Sequence, residues 1–237
     1  MIRQALKASD VGKSSNFQFR GLDNTRIEAL SDGVFAIAIA LLLISSNVPT
    51  TYAELVIFLN DFIPFSATIA ILMSIWYEHF IFFLRYGLKD GKVVFLNSIL
   101  LFLILFYVYP LKFLFKVLFQ LFKGLLYNDY SSLATLFSET IRLEDAPTLM
   151  VVYGIGAASI FFAFVLLYSY ALRHKDDLKL TAYEIFETKS RLTMNLISAS
   201  IPLISAMIGF ARVGGDRWSF IISGWVYFLY PILMPLL

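Results

Sequence analysis

Long apolar runs separated by short polar stretches dominate the chain. Six of these runs are long enough for a helix that crosses a bilayer core, which takes roughly 20 residues. The pattern therefore predicts an all-α, polytopic membrane protein with six transmembrane helices. Residues 1–24 are polar and are expected to form a cytoplasmic N-terminal arm, with the membrane domain in 25–237. The approximate bounds of the runs are 27–46, 53–84, 92–119, 147–172, 192–211 and 217–237.

The segments between the runs also carry patterns. Leucine and phenylalanine recur at helical spacing in residues 120–146, which predicts one or two short helices at the membrane interface. Residues 173–191 are charged with interspersed apolar positions, and a separate helix on the inner side is expected there. Pro64 lies inside the second run and is expected to kink it.

Basic residues set the predicted orientation. Of the 19 Lys and Arg residues, 13 fall on the side that carries the N-terminus when the six runs are threaded across a membrane. Lys and Arg concentrate in the cytoplasmic loops of membrane proteins. Both termini are therefore expected to face the cytoplasm.

Composition narrows the function classes. With 59% hydrophobic and 15% charged residues, the chain departs from an average soluble domain. A net charge of +2 gives no reason to expect nucleic acid as a partner. There is no cysteine and only two histidines, so neither a metal site nor a cofactor is expected. Because Gly-x-Ser-x-Gly, His-Glu-x-x-His and Walker motifs do not occur in the sequence, an enzyme is not predicted.

The first run begins with charges and then becomes aliphatic. Arg26, Glu28 and Asp32 lie near its start. Intramembrane charges are costly and are usually kept for function or for helix contacts. Further along, Ile37, Leu41 and Ile44 share one helical face. Such a face either packs in a core or, repeated around an axis by several subunits, forms aliphatic rings that close a pore by dewetting. Periodicity leaves both interpretations open.

Several short motifs resemble those of a known family. Arg26-x-x-x-Leu30-Ser31-Asp32-Gly33 is similar to the Arg-x-x-x-Phe-Ser-Asp-Gly signature on the first helix of the transmembrane protein 175 family, the prokaryotic relatives of a lysosomal potassium channel. Leu30 stands where that signature has phenylalanine. Trp76-x-x-His79 in the second run, and Asn97 with Pro110 in the third, resemble further elements of the family. The matches cover roughly the first half of the chain.

The resemblance implies a potassium-preferring cation channel. It implies a symmetric homotetramer in the cytoplasmic membrane of a prokaryote, surrounded by lipid, with K⁺ and other monovalent cations as the only ligands. The first helix would line the central pore, and Ile37, Leu41 and Ile44 would form its constriction. An inter-helix polar network would hold the inner halves of the first three helices together; its members would be Arg26, Ser31, Asp32, Trp76, His79 and Asn97.

Ala40 departs from the family pattern. Many members carry threonine at this position, and its hydroxyl is associated with potassium preference. Alanine has no acceptor oxygen, so potassium preference is expected to be weaker in this chain. Ser45 and Asn47, near the outer end of the helix, are expected to offer polar atoms to a dehydrating ion.

A second function class remains open from the residues. In a proton-coupled secondary transporter, Asp32 and His79 would form a proton relay near the inner side. Helix breaks at matching places in two halves of the chain would favour this class. Pro64, Pro110 and Pro202 interrupt runs without such a match.

Overall fold

The computed structural model describes the backbone of residues 17–44 and 49–233, and side chains there except those of Ile44, Ile57 and Ser132. Every regular element in these residues is helical. A π-helical turn occupies Leu136–Thr140 and a 3-10 turn occupies Val226–Leu229. The α-helices are α1 (Arg26–Ile44), α2 (Tyr52–Asn60), α3 (Phe62–Tyr86), α4 (Gly91–Leu126), α5 (Tyr130–Thr135), α6 (Ala146–Arg173), α7 (Ala182–Ala211), α8 (Asp216–Trp225) and α9 (Tyr230–Leu233).

Four helical stretches in the described residues are long and apolar enough to cross a membrane. They are 52–86 (α2 with α3), 91–126, 146–173 and 182–211. An all-α protein with several membrane-spanning helices is thereby confirmed. The described lengths of α1 and α8 are 19 and 10 residues. The total of six spans stays a prediction.

The second apolar run is interrupted at one residue, close to the predicted kink. Residue Asp61 separates α2 from α3. Pro64 lies three residues further on, and its ring is incompatible with a helical carbonyl at Asn60. The steric cost of proline therefore ends α2 at Asn60 and restarts the helix just before the proline.

Helix α7 is longer than its apolar run, because it begins at a local capping motif. Thr181 Oγ1 accepts a hydrogen bond from the Glu184 N–H at 3.3 Å, and Glu184 Oε2 accepts one from the Thr181 N–H at 2.8 Å. This reciprocal pair is a capping box, which starts a helix wherever it lies. The expectation of a separate inner helix across 173–191 was wrong, since residues 182–191 form the first turns of α7.

Helix α4 continues to Leu126, seven residues beyond its predicted end at 119. The short helix α5 and the π-helical turn follow it within the segment expected to hold short interfacial helices. Residues 234–237 of the last predicted span lie outside the described residues.

Helices α6 and α7 pack side by side, and α4 packs against α1, α3 and α6. Gly154 allows the α6–α7 contact, because a Cβ there would overlap the Pro202 carbonyl oxygen and lie 2.8 Å from the Ala206 Cβ. Gly156 similarly faces the ring of Tyr107 on α4. The two glycines therefore serve helix packing, as is common in membrane bundles.

Candidate functional site

Helix α1 begins at a capping box. The backbone N–H and hydroxyl of Thr25 donate to Glu28 Oε2 at 2.9 and 2.8 Å, and the Glu28 N–H lies 3.3 Å from Thr25 Oγ1. The cap satisfies donors that a helix start leaves unpaired and places an acid at the positive end of the helix dipole. The charged residues that the sequence places at the start of the first apolar run therefore include those of the first turn of α1.

The two sides of α1 have different environments. Phe35, Ala38 and Leu42 are buried at 3%, 0% and 0% exposure and pack on the other helices of the chain. On the other side, Ile37 is 55% exposed, and Ala40 is exposed as well. An aliphatic face that the described residues leave exposed is available to other copies or to a pore.

The predicted constriction residues lie on or beside this exposed side. Ile37 is exposed and Leu41 is half-buried. Ile44 is the last described residue of α1, and its side chain lies outside the description. Ser45 and Asn47 lie outside the described residues. The pore role of all five positions, with Ala40, stays a prediction.

A buried polar cluster joins α1, α3 and α4. Asn97 Nδ2 donates to Ser31 Oγ at 2.9 Å, and Asn97 Oδ1 lies 2.9 Å from His79 Nε2. Ser31, His79 and Asn97 are 0%, 2% and 2% exposed. Because buried polar groups are costly unless paired, this cluster selects one arrangement of the three helices.

A second polar contact joins α1 to α3. The Trp76 indole Nε1–H donates to Asp32 Oδ1 at 2.9 Å. Arg26 is exposed, and none of the described contacts joins it to the other five residues of the predicted network. The structure therefore brings together Ser31, His79 and Asn97 in one cluster and Asp32 with Trp76 in another, and leaves Arg26 apart.

The relay that a transporter would need is not formed in the described contacts. Asp32 bonds to Trp76, whereas His79 bonds to Asn97. His79 is 2% exposed, and the rings of Phe35 and Phe83 lie against its imidazole at centroid distances of 5.8 and 4.7 Å. This surrounding favours a packing role for His79.

One further polar cluster was missed by the sequence analysis. Glu78 on α3 accepts hydrogen bonds from Tyr168 Oη at 2.8 Å, Arg191 Nη1 at 3.0 Å and Asn195 Nδ2 at 3.2 Å. Its donors come from α6 and α7, which lie about 90 to 117 residues away in sequence. The available signal was an ionisable residue inside an apolar run, which calls for a partner on another helix.

No group of three or more His, Asp or Glu side chains that could hold a metal ion occurs within residues 17–44 and 49–233. Five polar side chains of α1, α3 and α4 are paired across these helices: Ser31, Asp32, Trp76, His79 and Asn97. The contacts of this region serve helix association beside an aliphatic face.

Comparison with known proteins gives consistent matches. The family described as "Endosomal/lysosomal potassium channel TMEM175" matches residues 26–107. A protein of Marivirga tractuosa named "Potassium channel" is 44% identical over 227 residues, which cover 94% of this chain and 90% of that protein.

Two solved structures are similar to the chain. A crystal structure of a variant of the potassium channel MtTMEM175, in complex with a nanobody–MBP fusion, has a TM-score of 0.87 at 45% identity and covers 95% of this chain and 97% of its own. A TMEM175 homologue from Chamaesiphon minutus, described as a lysosomal potassium-selective channel homologue, has a TM-score of 0.54 at 21% identity, covering 86% and 95%. The latter shows the shared fold only.

These matches confirm the family suggested by the motifs, and they confirm an ion channel rather than an enzyme, since the matched proteins are named as channels. The chain is therefore a multi-pass membrane protein that belongs to the TMEM175 potassium-channel family.

Proposed function

We propose that the protein is a potassium channel whose pore is lined by α1 helices from four copies of the chain. The observation that carries this proposal is the exposed side of α1, where Ile37 is 55% exposed while Ala38 beside it is fully buried. A single such helix cannot enclose a conduit, so symmetry has to supply the others. The similarity to proteins named as potassium channels supports the same function.

In this proposal, Ile37, Leu41 and Ile44 form stacked aliphatic rings. Such rings close a pore by excluding water without any plug. The Ser31–Asn97–His79 cluster and the Asp32–Trp76 contact hold the buried side of α1 against α3 and α4. The polar contacts thus stabilise the buried side of α1, while its aliphatic side faces the pore axis.

The remaining features follow from the charge pattern and the apolar runs. The chain crosses the cytoplasmic membrane of a prokaryote six times, with α1 as the first span, residues 217–237 as the last, and both termini inside. The excess of Lys and Arg on one side supports this orientation. Ala40, Ser45 and Asn47 line the outer half of the pore, and the absence of a hydroxyl at Ala40 weakens potassium preference.

Potassium flux into liposomes tests the proposal. Purified protein is reconstituted under a K⁺ gradient directed into the liposomes, without a proton gradient, and the double variant Ile37→Asn/Leu41→Asn is compared with the unmodified chain. The matched control is Ile155→Asn on α6, because Ile155 is 52% exposed and outside the proposed pore. We expect passive flux that rises in the double variant and stays unchanged in the control. Flux that requires a proton gradient, or that rises equally in the control, would contradict a constriction on α1.

A further inference from the structure

The segment just before α1 lies across the inner ends of other helices. Residues 17–21, called here the N-terminal strap, run without regular secondary structure past the end of α3. The Gly21 N–H donates to Leu84 O at 3.0 Å, and the Arg20 N–H donates to Arg85 O at 3.3 Å. Carbonyls in the last turn of a helix have no partner within that helix. The strap supplies two of the missing donors, so it is bonded to α3 through its backbone.

The strap is also bonded to α7 through a buried ion pair. Arg20 Nη1 and Nη2 donate to Glu184 Oε1 and Oε2, each at 2.9 Å, and the Gln18 N–H donates to Glu184 Oε1 at 2.8 Å. The Glu184 side chain is fully buried. Arg20 Nε donates in addition to Leu178 O, in the loop between α6 and α7, at 2.7 Å. A two-point guanidinium–carboxylate contact fixes direction as well as distance.

Packing leaves the strap little freedom. The Phe17 ring is 6% exposed, with the Arg85 guanidinium 4.6 Å from its centroid and the Tyr86 ring at 5.8 Å. A Cβ at Gly21 would overlap the Phe83 carbonyl oxygen. The close approach to α3 therefore requires glycine at this position, and the strap fits one place only.

Only residues 22–25 separate the strap from α1. A chain of four residues spans at most about 14 Å when fully extended. The inner end of α1 is therefore tethered to α3, to α7 and to the loop between α6 and α7. Movement of α1 beyond that reach requires the strap to leave its place.

We propose that Arg20 and Glu184 are positioning residues that hold the inner end of the pore helix, an inference that rests on the pore role of α1 proposed above. The ion pair fastens the strap, and the strap sets where α1 enters the bundle. Release of the ion pair lets the inner ends of the α1 helices separate, and the aliphatic constriction then leaks.

Glu184 has two roles that a substitution can separate. It caps α7 in the box with Thr181, and it binds Arg20. Glutamine also serves in a capping box, so Glu184→Gln keeps the cap but removes the charge that holds the guanidinium. Thr181→Ala does the reverse, because it removes the hydroxyl of the cap and leaves the contact between Arg20 and Glu184.

Distances between copies of α1 test the proposal directly. The chain has no cysteine, so Ala29→Cys in the first turns of α1 provides a unique spin-label site. Spin-label distances between subunits are measured in liposomes with Glu184→Gln, Arg20→Ala and Thr181→Ala. Asp176→Asn is the matched control, since it removes an acidic charge from the exposed loop between α6 and α7, where the contacts of Arg20 are with Leu178 O and Lys179 O.

We expect longer and broader distances in Glu184→Gln and Arg20→Ala, with potassium flux raised at least about threefold, about 0.65 kcal/mol from RT ln 3. Thr181→Ala and Asp176→Asn should match the unmodified chain in both measurements. Unchanged distances in the first two variants, or equal changes in all four, would overturn the proposal. If the unmodified chain passes no potassium, the proposed function fails, whereas the distances still decide whether the strap positions α1.

Discussion

Trp76 on α3 donates its indole N–H to the Asp32 carboxylate on α1, across 2.9 Å. Tryptophan can only donate and an ionised carboxylate can only accept, so the pair is matched in one direction. The contact spans 44 positions in sequence and stands beside the buried Ser31–Asn97–His79 cluster. Together they explain why an acid is retained on an otherwise apolar helix.

Asp32→Ala should lower the thermal stability of the protein in detergent. The substitution removes the acceptor of the Trp76 N–H, and a hydrogen bond to a charged group is worth about 1.5–3 kcal/mol in favourable settings. Because Asp32 is exposed within one chain, we expect the lower end of this range. Asp32→Asn is the control, since its amide oxygen still accepts. A melting temperature lowered equally by both changes would show that the negative charge, not the acceptor, stabilises the fold.

Asn97→Ala should destabilise the protein more strongly, by about 2–4 kcal/mol. His79 loses its side-chain partner while buried, which costs about 1–3 kcal/mol. Ser31 loses one of its two hydrogen bonds, at about 1 kcal/mol, since its hydroxyl still donates to Ile27 O. The matched control is Ser98→Ala, because Ser98 is the next residue on α4 and its exposed hydroxyl bonds only within its own helix, to Val94 O. Thermal unfolding measures the difference, and equal melting temperatures for the two variants would contradict the role of Asn97.

Ala40→Thr should increase the preference for potassium over sodium. The threonine hydroxyl would add an acceptor oxygen to the exposed side of α1, where a partly dehydrated cation can be coordinated. The control is Ala40→Val, which has nearly the same shape without the hydroxyl. Reversal potentials under opposed K⁺ and Na⁺ gradients measure the ratio. A ratio unchanged by threonine, or changed equally by valine, would count against a selectivity role for position 40.

Gly154→Ala should disrupt the packing of α6 on α7. The added methyl group overlaps the Pro202 carbonyl oxygen, and backbone atoms on both helices have to move apart. Overpacking of this kind costs about 1–3 kcal/mol. Gly224→Ala on α8 is the control, because nothing lies within 4 Å of a Cβ there. Size-exclusion profiles and melting temperatures should separate the two variants, and a stable Gly154→Ala protein would show that α6 and α7 can repack.

Asp90→Ala should weaken the start of α4 in a pH-dependent way. Partial burial raises the pKa of Asp90, but hydrogen bonds from the Tyr170 hydroxyl and from the N–H groups of Val93 and Lys92 outweigh it and hold the pKa below its ordinary value. A carboxyl group whose pKa is lower in the folded state stabilises the fold at pH values above its unfolded-state pKa, which is about 3.9 for Asp. This stabilisation is lost as the pH falls through the folded-state pKa.

The melting-temperature difference between Asp90→Ala and the unmodified chain should therefore be largest near neutral pH and shrink on acidification below about pH 4. Tyr170→Phe, which removes one donor at 3.0 Å, should show a smaller difference with the same trend. A difference that is constant with pH would show that the Asp90 carboxylate does not act through its charge.

Much of the architecture was predictable, because membrane helices need long apolar runs, and such runs are visible directly in the sequence. The runs anticipated the start of α4 and both ends of α6 to within one residue, and the motif around Asp32 identified the family. Helix ends were less predictable where local chemistry overrode hydropathy. Pro64 places a helix interruption at Asp61. The capping box of Thr181 and Glu184 starts α7 about three turns before its apolar run.

Partner choice was decided by the tertiary structure alone. The sequence by itself determined that Asp32, His79 and Glu78 lie in or beside apolar runs, and a charge there requires a partner. Which partner each one meets depends on how the helices are rotated and packed over separations of up to 166 residues. Packing alone therefore paired Asp32 with Trp76 and Arg20 with Glu184, because burial makes unpaired polar groups costly and only contiguous helices can pair them.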